Sequence, residues 1–185
     1  MRVLVACEYS GVVRDAFAAR GHEAVSCDLL PSETDHGRHH QGSVLEILDN
    51  GWDLMVAHPP CQHLAVSGAR WFPQKQAEQR DALNFVRALL DADIPRIALE
   101  NPVSIISTRV RKPDQWIEPW QHGHGETKKT GGLWLKGLPL LQPSNVVSGR
   151  AGRILAMSPG PNRWRDRSRT LVGIAAAMAD QWGTE

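Results

Sequence analysis

Two side chains in this sequence have the type and setting for covalent chemistry. Cys61 follows Pro59 and Pro60 at the end of an apolar run, residues 52–57. The fixed φ angles of the two prolines hold the next side chain in place. Glu100 leaves a second apolar run, residues 95–99, and Asn101 and Pro102 follow it and stop the extended segment. A cysteine is a nucleophile as its thiolate, and a neighbouring carboxylic acid can donate a proton to the group under attack. The pair suits addition to a pyrimidine ring: sulfur adds at one carbon once a proton on a ring nitrogen lets the ring accept the electron pair, and the adjacent carbon becomes nucleophilic. A free intracellular cysteine is more often a small core residue. Cys7 and Cys27, at strand ends within apolar runs, are read that way, whereas the loop setting of Cys61, with His58 and His63 nearby, marks it as the nucleophile.

The elements that must position these groups follow from hydrophobic patterning. Short apolar runs alternate with amphipathic stretches, the signature of a parallel sheet wrapped by helices. Residues 2–6 read as the first strand, with a helix placing Val12, Val13, Ala16, Phe17 and Ala19 on one face until Gly21. Residues 22–27 are the second strand, ending on Asp28, and residues 52–57 and 95–99 are the third and fourth. Between the last two, residues 74–93 have helical periodicity through Ala77, Ala82, Phe85, Val86, Leu89 and Leu90. Residues 133–135 read as a short strand, residues 170–182 as a closing helix, and residues 137–168, rich in Gly, Pro, Ser and Arg, as an irregular Arg-rich loop. In such sheets ligands bind beyond the carboxyl ends of the strands. The small residues Ser10 and Gly11 after strand one, with Asp28 after strand two, suit a nucleoside-bearing cofactor whose ribose hydroxyls meet the carboxylate.

Bulk properties bound the reading. With 185 residues, 42% of them hydrophobic and 22% charged, the chain is expected to form one catalytic domain over residues 1–185. Net charge is +1, so a nucleic-acid footprint must be local. One candidate is the cluster of Arg150, Arg153, Arg163, Arg165, Arg167 and Arg169, set against a single Asp166 and interleaved with Trp164. Arginines beside an aromatic ring suit phosphate contact and base stacking. No apolar run approaches the roughly 20 residues of a membrane span, so a soluble protein of the cytoplasm is expected. Three cysteines make neither a disulfide framework nor a zinc pattern. His36, His39 and His40 are expected in a polar loop, and with His122 and His124 they are read as surface or cofactor-lid residues, with no metal.

Taken in order, the run from Cys7 to Gly11, then Cys27 and Asp28, then Gln41, Gly42 and Ser43, then the run from His58 to Gln62, then the run from Leu99 to Pro102, resembles the motif series of the cytosine-C5 DNA methyltransferase family in its compact phage and prophage form. The resemblance covers most of the chain. It implies an α/β, Rossmann-like S-adenosylmethionine-dependent methyltransferase fold with a mostly parallel sheet flanked by helices, and a bacterial host cytoplasm as the location. It implies that Cys61 bonds to C6 of cytosine and that Glu100 contacts N3 and the exocyclic amine. Tyr9, Ser10 and Gly11 would pass close to the methionine moiety of S-adenosyl-L-methionine, Asp28 would hold the ribose and Leu29 would pack on the adenine. Ser43, Val44, Pro60 and Thr170 complete that expected cofactor site. Lys128, Lys129 and Thr130 resemble the basic motif that orients the base. DNA is the expected partner, contacted by Lys128, Lys129, Arg163, Arg165 and Arg167, with the target cytosine flipped out or single-stranded.

Two departures from the family pattern have consequences. Ser43 stands where the family carries an acidic residue that bonds the adenine amine, and a lost charge-assisted hydrogen bond of about 1.5–3 kcal/mol predicts weaker cofactor binding. About forty residues separate Thr130 from Thr170, where full-length members carry a target-recognition domain of about a hundred residues. Specificity then calls for a homodimer or a specificity-conferring partner protein. Two other readings stay open: an accessory DNA-binding subunit with weak or no catalysis, and a methyltransferase acting on free cytosine nucleotides.

Overall fold

The aliphatic runs of the first hundred residues become parallel strands. The computed structural model describes residues 1–126, 131–152, 156–161 and 163–184. Among these, seven strands form one sheet: β1 (Arg2–Ala6), β2 (Glu23–Asp28), β3 (Arg38–Gln41), β4 (Leu54–Ala57), β5 (Arg96–Asn101), β6 (Gln115–Ile117) and β7 (Gly131–Lys136). Their order is β3-β2-β1-β4-β5-β7-β6. Every neighbouring pair is parallel except the two made by β7, which runs against both β5 and β6. The helices are α1 (Val12–Ala18), α2 (Gln76–Leu90), α3 (Ile106–Arg109), α4 (Arg163–Ser168) and α5 (Val172–Trp182). The chain is thus mixed α/β with a mostly parallel sheet flanked by helices, and among the described residues no helix is long and apolar enough to cross a membrane.

Alternation along the strands builds a core on each face. Leu4, Met55, Ile97 and Leu99 pack with Leu83, Val86 and Leu89 of α2. Val3, Val5, Leu54, Val56 and Ala98 pack with Phe17 of α1 and with Ile174, Met178 and Trp182 of α5. Each such side chain taken out of water contributes about 1.5–3 kcal/mol, so these strands are the firmest part of the molecule.

The strands expected at 22–27, 52–57 and 95–99 are found at Glu23–Asp28, Leu54–Ala57 and Arg96–Asn101. Two strands were not anticipated. β3 carries His39 and His40, which therefore lie in the sheet and not in a polar loop. It is an edge strand whose pairing with β2 is main-chain bonding, which needs no apolar pattern. β6 has three residues, too few for periodicity to register. The stretch expected to be irregular through residue 168 ends in the helix α4.

The register decides what the sheet presents. Ala6 pairs with Cys27 on one side and Ala57 on the other, and Ala57 pairs with Leu99. One residue further along, Cys7, Asp28, His58 and Glu100 fall in a row along the carboxyl edge. The strand order reverses direction at β1, so the crevice beside it is the place for a ligand.

Candidate active site

The loops after β4 and β5 are laced together. Asn101 is buried, and its Nδ2 donates to the Pro59 carbonyl at 2.9 Å. Val66 N donates to Val103 O at 3.0 Å, and Ile105 N donates to Leu64 O at 3.0 Å. The Cys61 carbonyl in turn accepts from Leu64 N and Ala65 N, closing a turn that is anchored by the fully buried Leu64. The sequence does this locally because two prolines leave no main-chain donors at positions 59 and 60 for sheet pairing, so the chain turns away at the end of β4. Cys61 and Glu100 are thereby brought within electrostatic reach of each other. Cys61 is exposed, yet the loop around its sulfur removes enough water to raise the thiol above its ordinary pKa, and the Glu100 charge raises it further. Its own backbone N–H and the Arg167 guanidinium pull the other way.

Glu100 is held on two sides. His58 Nδ1 lies 3.5 Å from Oε2. The other carboxyl oxygen, Oε1, sits over Gly131 of β7, at a place where a Cβ would collide with it. A side chain at position 131 would push the carboxyl aside. Neither His58 nor His63 bonds to Cys61 among the described residues; His63 meets Gln62 instead.

Beside this floor lies a cavity of about 470 Å³, within the range of small-ligand sites. Five of the predicted cofactor residues line it: Asp28, Leu29, Ser43, Val44 and Pro60. Asp28 uses Oδ1 to accept from Leu30 N at 2.9 Å, which leaves Oδ2 for a ligand hydroxyl. Leu29 is 74% exposed at the mouth, an apolar surface with nothing packed on it to match. Ser43 Oγ accepts from Leu45 N at 3.3 Å and starts the 3-10 turn Val44–Glu46. Cys7 and Cys27 form part of the cavity wall, where burial pushes the first thiol up to about 12 and the second to about 11, with the Asp28 charge adding to both. They are core thiols that also face the ligand space.

Sequence reasoning missed two carboxylates here. Glu78 and Asp81 of α2 face the cavity together with Ala82 and Phe85. These four residues share the i, i+3, i+4, i+7 face of a helix, so their common side was readable, but not what lies opposite.

Tyr9, Ser10, Gly11 and Thr170 are not on the cavity wall. The turn after β1 is organised instead by Glu8, a buried carboxylate that accepts from Val13 N at 2.7 Å and from Arg14 N at 3.2 Å at the start of α1. Ser10 Oγ donates to the same carboxylate at 3.3 Å. Burial raises the Glu8 pKa, and the hydrogen bond from Val13 N opposes the shift. Gly11 has φ +77 and packs on the buried Arg14 guanidinium, so a side chain there is excluded twice over. Tyr9 reaches in another direction: its hydroxyl lies 2.8 Å from Ser168 Oγ and 3.2 Å from Arg165 O in α4.

A scan against protein-family models matches none, and a search of curated proteins likewise finds no match. The site therefore stands on its geometry.

The predicted DNA contacts are divided. Lys128 and Lys129, with Thr130 and Arg153, lie outside the described residues. Arg163 Nε donates to Met157 O at 2.9 Å. Arg165 is 3.7 Å from Glu33, and Arg169 makes two bonds to the same carboxylate at 2.8 and 2.9 Å. Arg167 acts electrostatically on Cys61. The reading of the histidine pairs needs correcting. His122 is buried and bonds Ser144 Oγ, and His124 Nε2 accepts from Gly173 N in the first turn of α5, so His122 is tied to the chain at Ser144 and His124 to the last helix.

Proposed function

We propose that this protein transfers a methyl group from S-adenosyl-L-methionine to C5 of cytosine in DNA, on a Rossmann-like methyltransferase fold. The observation that carries the reading is the meeting of Cys61 and Glu100 on two hydrogen-bonded loops at the carboxyl edge of the sheet, next to a ligand-sized cavity. The cavity fits the cofactor in kind: Asp28 offers a free carboxyl oxygen for a ribose, and Leu29, Val44 and Pro60 offer apolar surface for a purine. When bound there, the cofactor supplies an electrophilic methyl group.

The chain's own residues do the rest. Glu100, as the acid, donates its proton to N3 of the cytosine, and the Cys61 thiolate adds to C6, so the ring's electron pair moves to C5. After C5 has been methylated, its proton leaves to solvent, the C6–S bond breaks to return the thiolate, and the N3 proton goes back to Glu100. The Glu100 charge is one of the two influences that raise the Cys61 thiol. While Glu100 still holds its proton that charge is missing, so the thiolate forms more readily before the acid has given its proton to the base. Arg167 adds positive potential at the same sulfur.

Incubation with labelled cofactor and mixed-sequence DNA, single- and double-stranded, tests the reading, with Cys61→Ala beside the wild type. Transfer by the wild type and none by the variant is expected. No transfer to either DNA, or equal transfer by both proteins, refutes it, and turnover of dCMP without turnover of DNA would move the substrate to the free nucleotide.

A further inference from the structure

His58 occupies a place in the site that the chemistry above leaves unused. It stands one residue past β4, and its backbone N–H donates to Ala6 O at 2.9 Å, which fixes where the ring begins. Pro59 follows and restricts its backbone. The side chain is 13% exposed and lies between two strand ends, with Nδ1 3.5 Å from Glu100 Oε2. The other ring nitrogen, Nε2, is buried with no hydrogen-bond partner among the described residues. Glu8, the second buried carboxylate of this edge, already spends its oxygens on Val13 N, Arg14 N and Ser10 Oγ.

These facts select one form of the ring. A bare Nδ1 would put the ring's hydrogen on Nε2, where it would be a buried donor without an acceptor, so the hydrogen belongs on Nδ1, facing the carboxyl oxygen. A hydrogen on Nε2 as well would bury both a donor without an acceptor and a positive charge. With Oε2 taken as an acceptor, the proton of the neutral Glu100 acid is left to Oε1, the oxygen that lies over the bare Cα of Gly131. The distance of 3.5 Å is long for a strong bond, as catalytic hydrogen bonds often are before substrate tightens them.

Resting on the reading of Cys61 and Glu100 given above, we propose that His58 is a positioning residue: neutral and hydrogenated on Nδ1, it donates to Glu100 Oε2 and so fixes the acid proton on Oε1, from which it reaches the ring nitrogen of the base. No proton leaves His58 in this role. That separates it from an acid–base relay, in which the ring would gain and lose a proton in each turnover.

Two measurements on the full chain test this. Two-bond proton–nitrogen correlation spectra of the imidazoles, with His58 assigned through His58→Asn, report which ring nitrogen carries hydrogen. The expected spectrum shows Nδ1 hydrogenated and Nε2 bare in the wild type, and loss of that single form in Glu100→Ala. A wild-type ring hydrogenated on Nε2 overturns the proposal whether or not the protein methylates DNA, so its failure and the failure of the functional reading are distinguishable. The second measurement is turnover. His58→Asn places an amide N–H about where Nδ1 stands and is expected to keep kcat close to the wild type. His58→Gln places its amide near Nε2 instead, and with His58→Ala it is expected to lose on the order of 100-fold in kcat with KM unchanged for cofactor and DNA. An Asn variant as impaired as the Ala variant, or an Ala variant at the wild-type rate, contradicts the role.

Discussion

The laced loops after β4 and β5 and the Arg-rich helix α4 both border the site, yet they are held by different physics. The loops continue two strands whose residues are almost all buried, they are cross-connected by main-chain hydrogen bonds and by Asn101, and they are pinned by the fully buried Leu64 and Ile106. No residue of α4 is buried. It is fastened by the Tyr9 hydroxyl and by the pairing of Arg165 and Arg169 with Glu33. Apolar burial is not screened by salt, whereas exposed ion pairs contribute about 0–1 kcal/mol each and weaken as ionic strength rises. The loops that carry Cys61 and Glu100 are therefore anchored to the core, and the basic helix α4 is attached by contacts that salt weakens.

The largest effect on this contrast should come from Asn101. Asn101→Ala removes the bond to the Pro59 carbonyl and leaves that acceptor unpaired, at a cost of about 1–3 kcal/mol. Urea unfolding should show a lower midpoint with an unchanged slope. An unaltered midpoint would mean that the lacing does not hold the floor together.

A change of intermediate size should appear in thiol reactivity. Because the Glu100 charge raises the Cys61 pKa, Glu100→Gln should lower it, and alkylation by iodoacetamide should begin at lower pH than in the wild type. Arg167→Gln should shift the profile the opposite way and by less. Cys7 and Cys27, at about 12 and 11, should stay unreacted at neutral pH, which makes the assay specific for one sulfur. Identical profiles for wild type and Glu100→Gln would show that the two groups are not coupled.

Glu33→Gln should matter least to stability and most to α4. Its pairs with Arg165 and Arg169 are partly exposed, so the unfolding midpoint should barely move, while trypsin cleavage after Arg165, Arg167 and Arg169 should accelerate several-fold. Added salt should do the same to the wild type. Cleavage that is indifferent to both would mean that α4 is held by something other than these ion pairs.

The same contrast explains what could be read from residues alone. Cys61 and Glu100 stood out because each follows an apolar run and is flanked by proline, a local signal that needs no knowledge of the rest of the chain. The strands β1, β2, β4 and β5 were legible for the same reason, to within one or two residues at each end. Tyr9, Ser10 and Gly11 were not, because the direction of a turn's side chains depends on what packs against them. Ser10 turns to Glu8, and Tyr9 turns to Ser168, which is 159 residues away. The role of Glu8 as a cap for α1 was hidden by its five-residue distance from Val13, outside the spacing at which caps are usually sought. β3 escaped because an edge strand formed by main-chain pairing leaves no hydrophobic trace.

The central claim, that Cys61 attacks a pyrimidine held by Glu100, is tested most directly with DNA containing 5-fluorocytosine. Fluorine at C5 cannot leave as a proton does, so an adduct formed at C6 persists and can be mapped by mass spectrometry of the digested complex. With S-adenosyl-L-methionine present, a covalent complex through Cys61 is expected in the wild type, with none in Cys61→Ala and far less in Glu100→Gln. Absence of any covalent complex, or attachment through another residue, would contradict it.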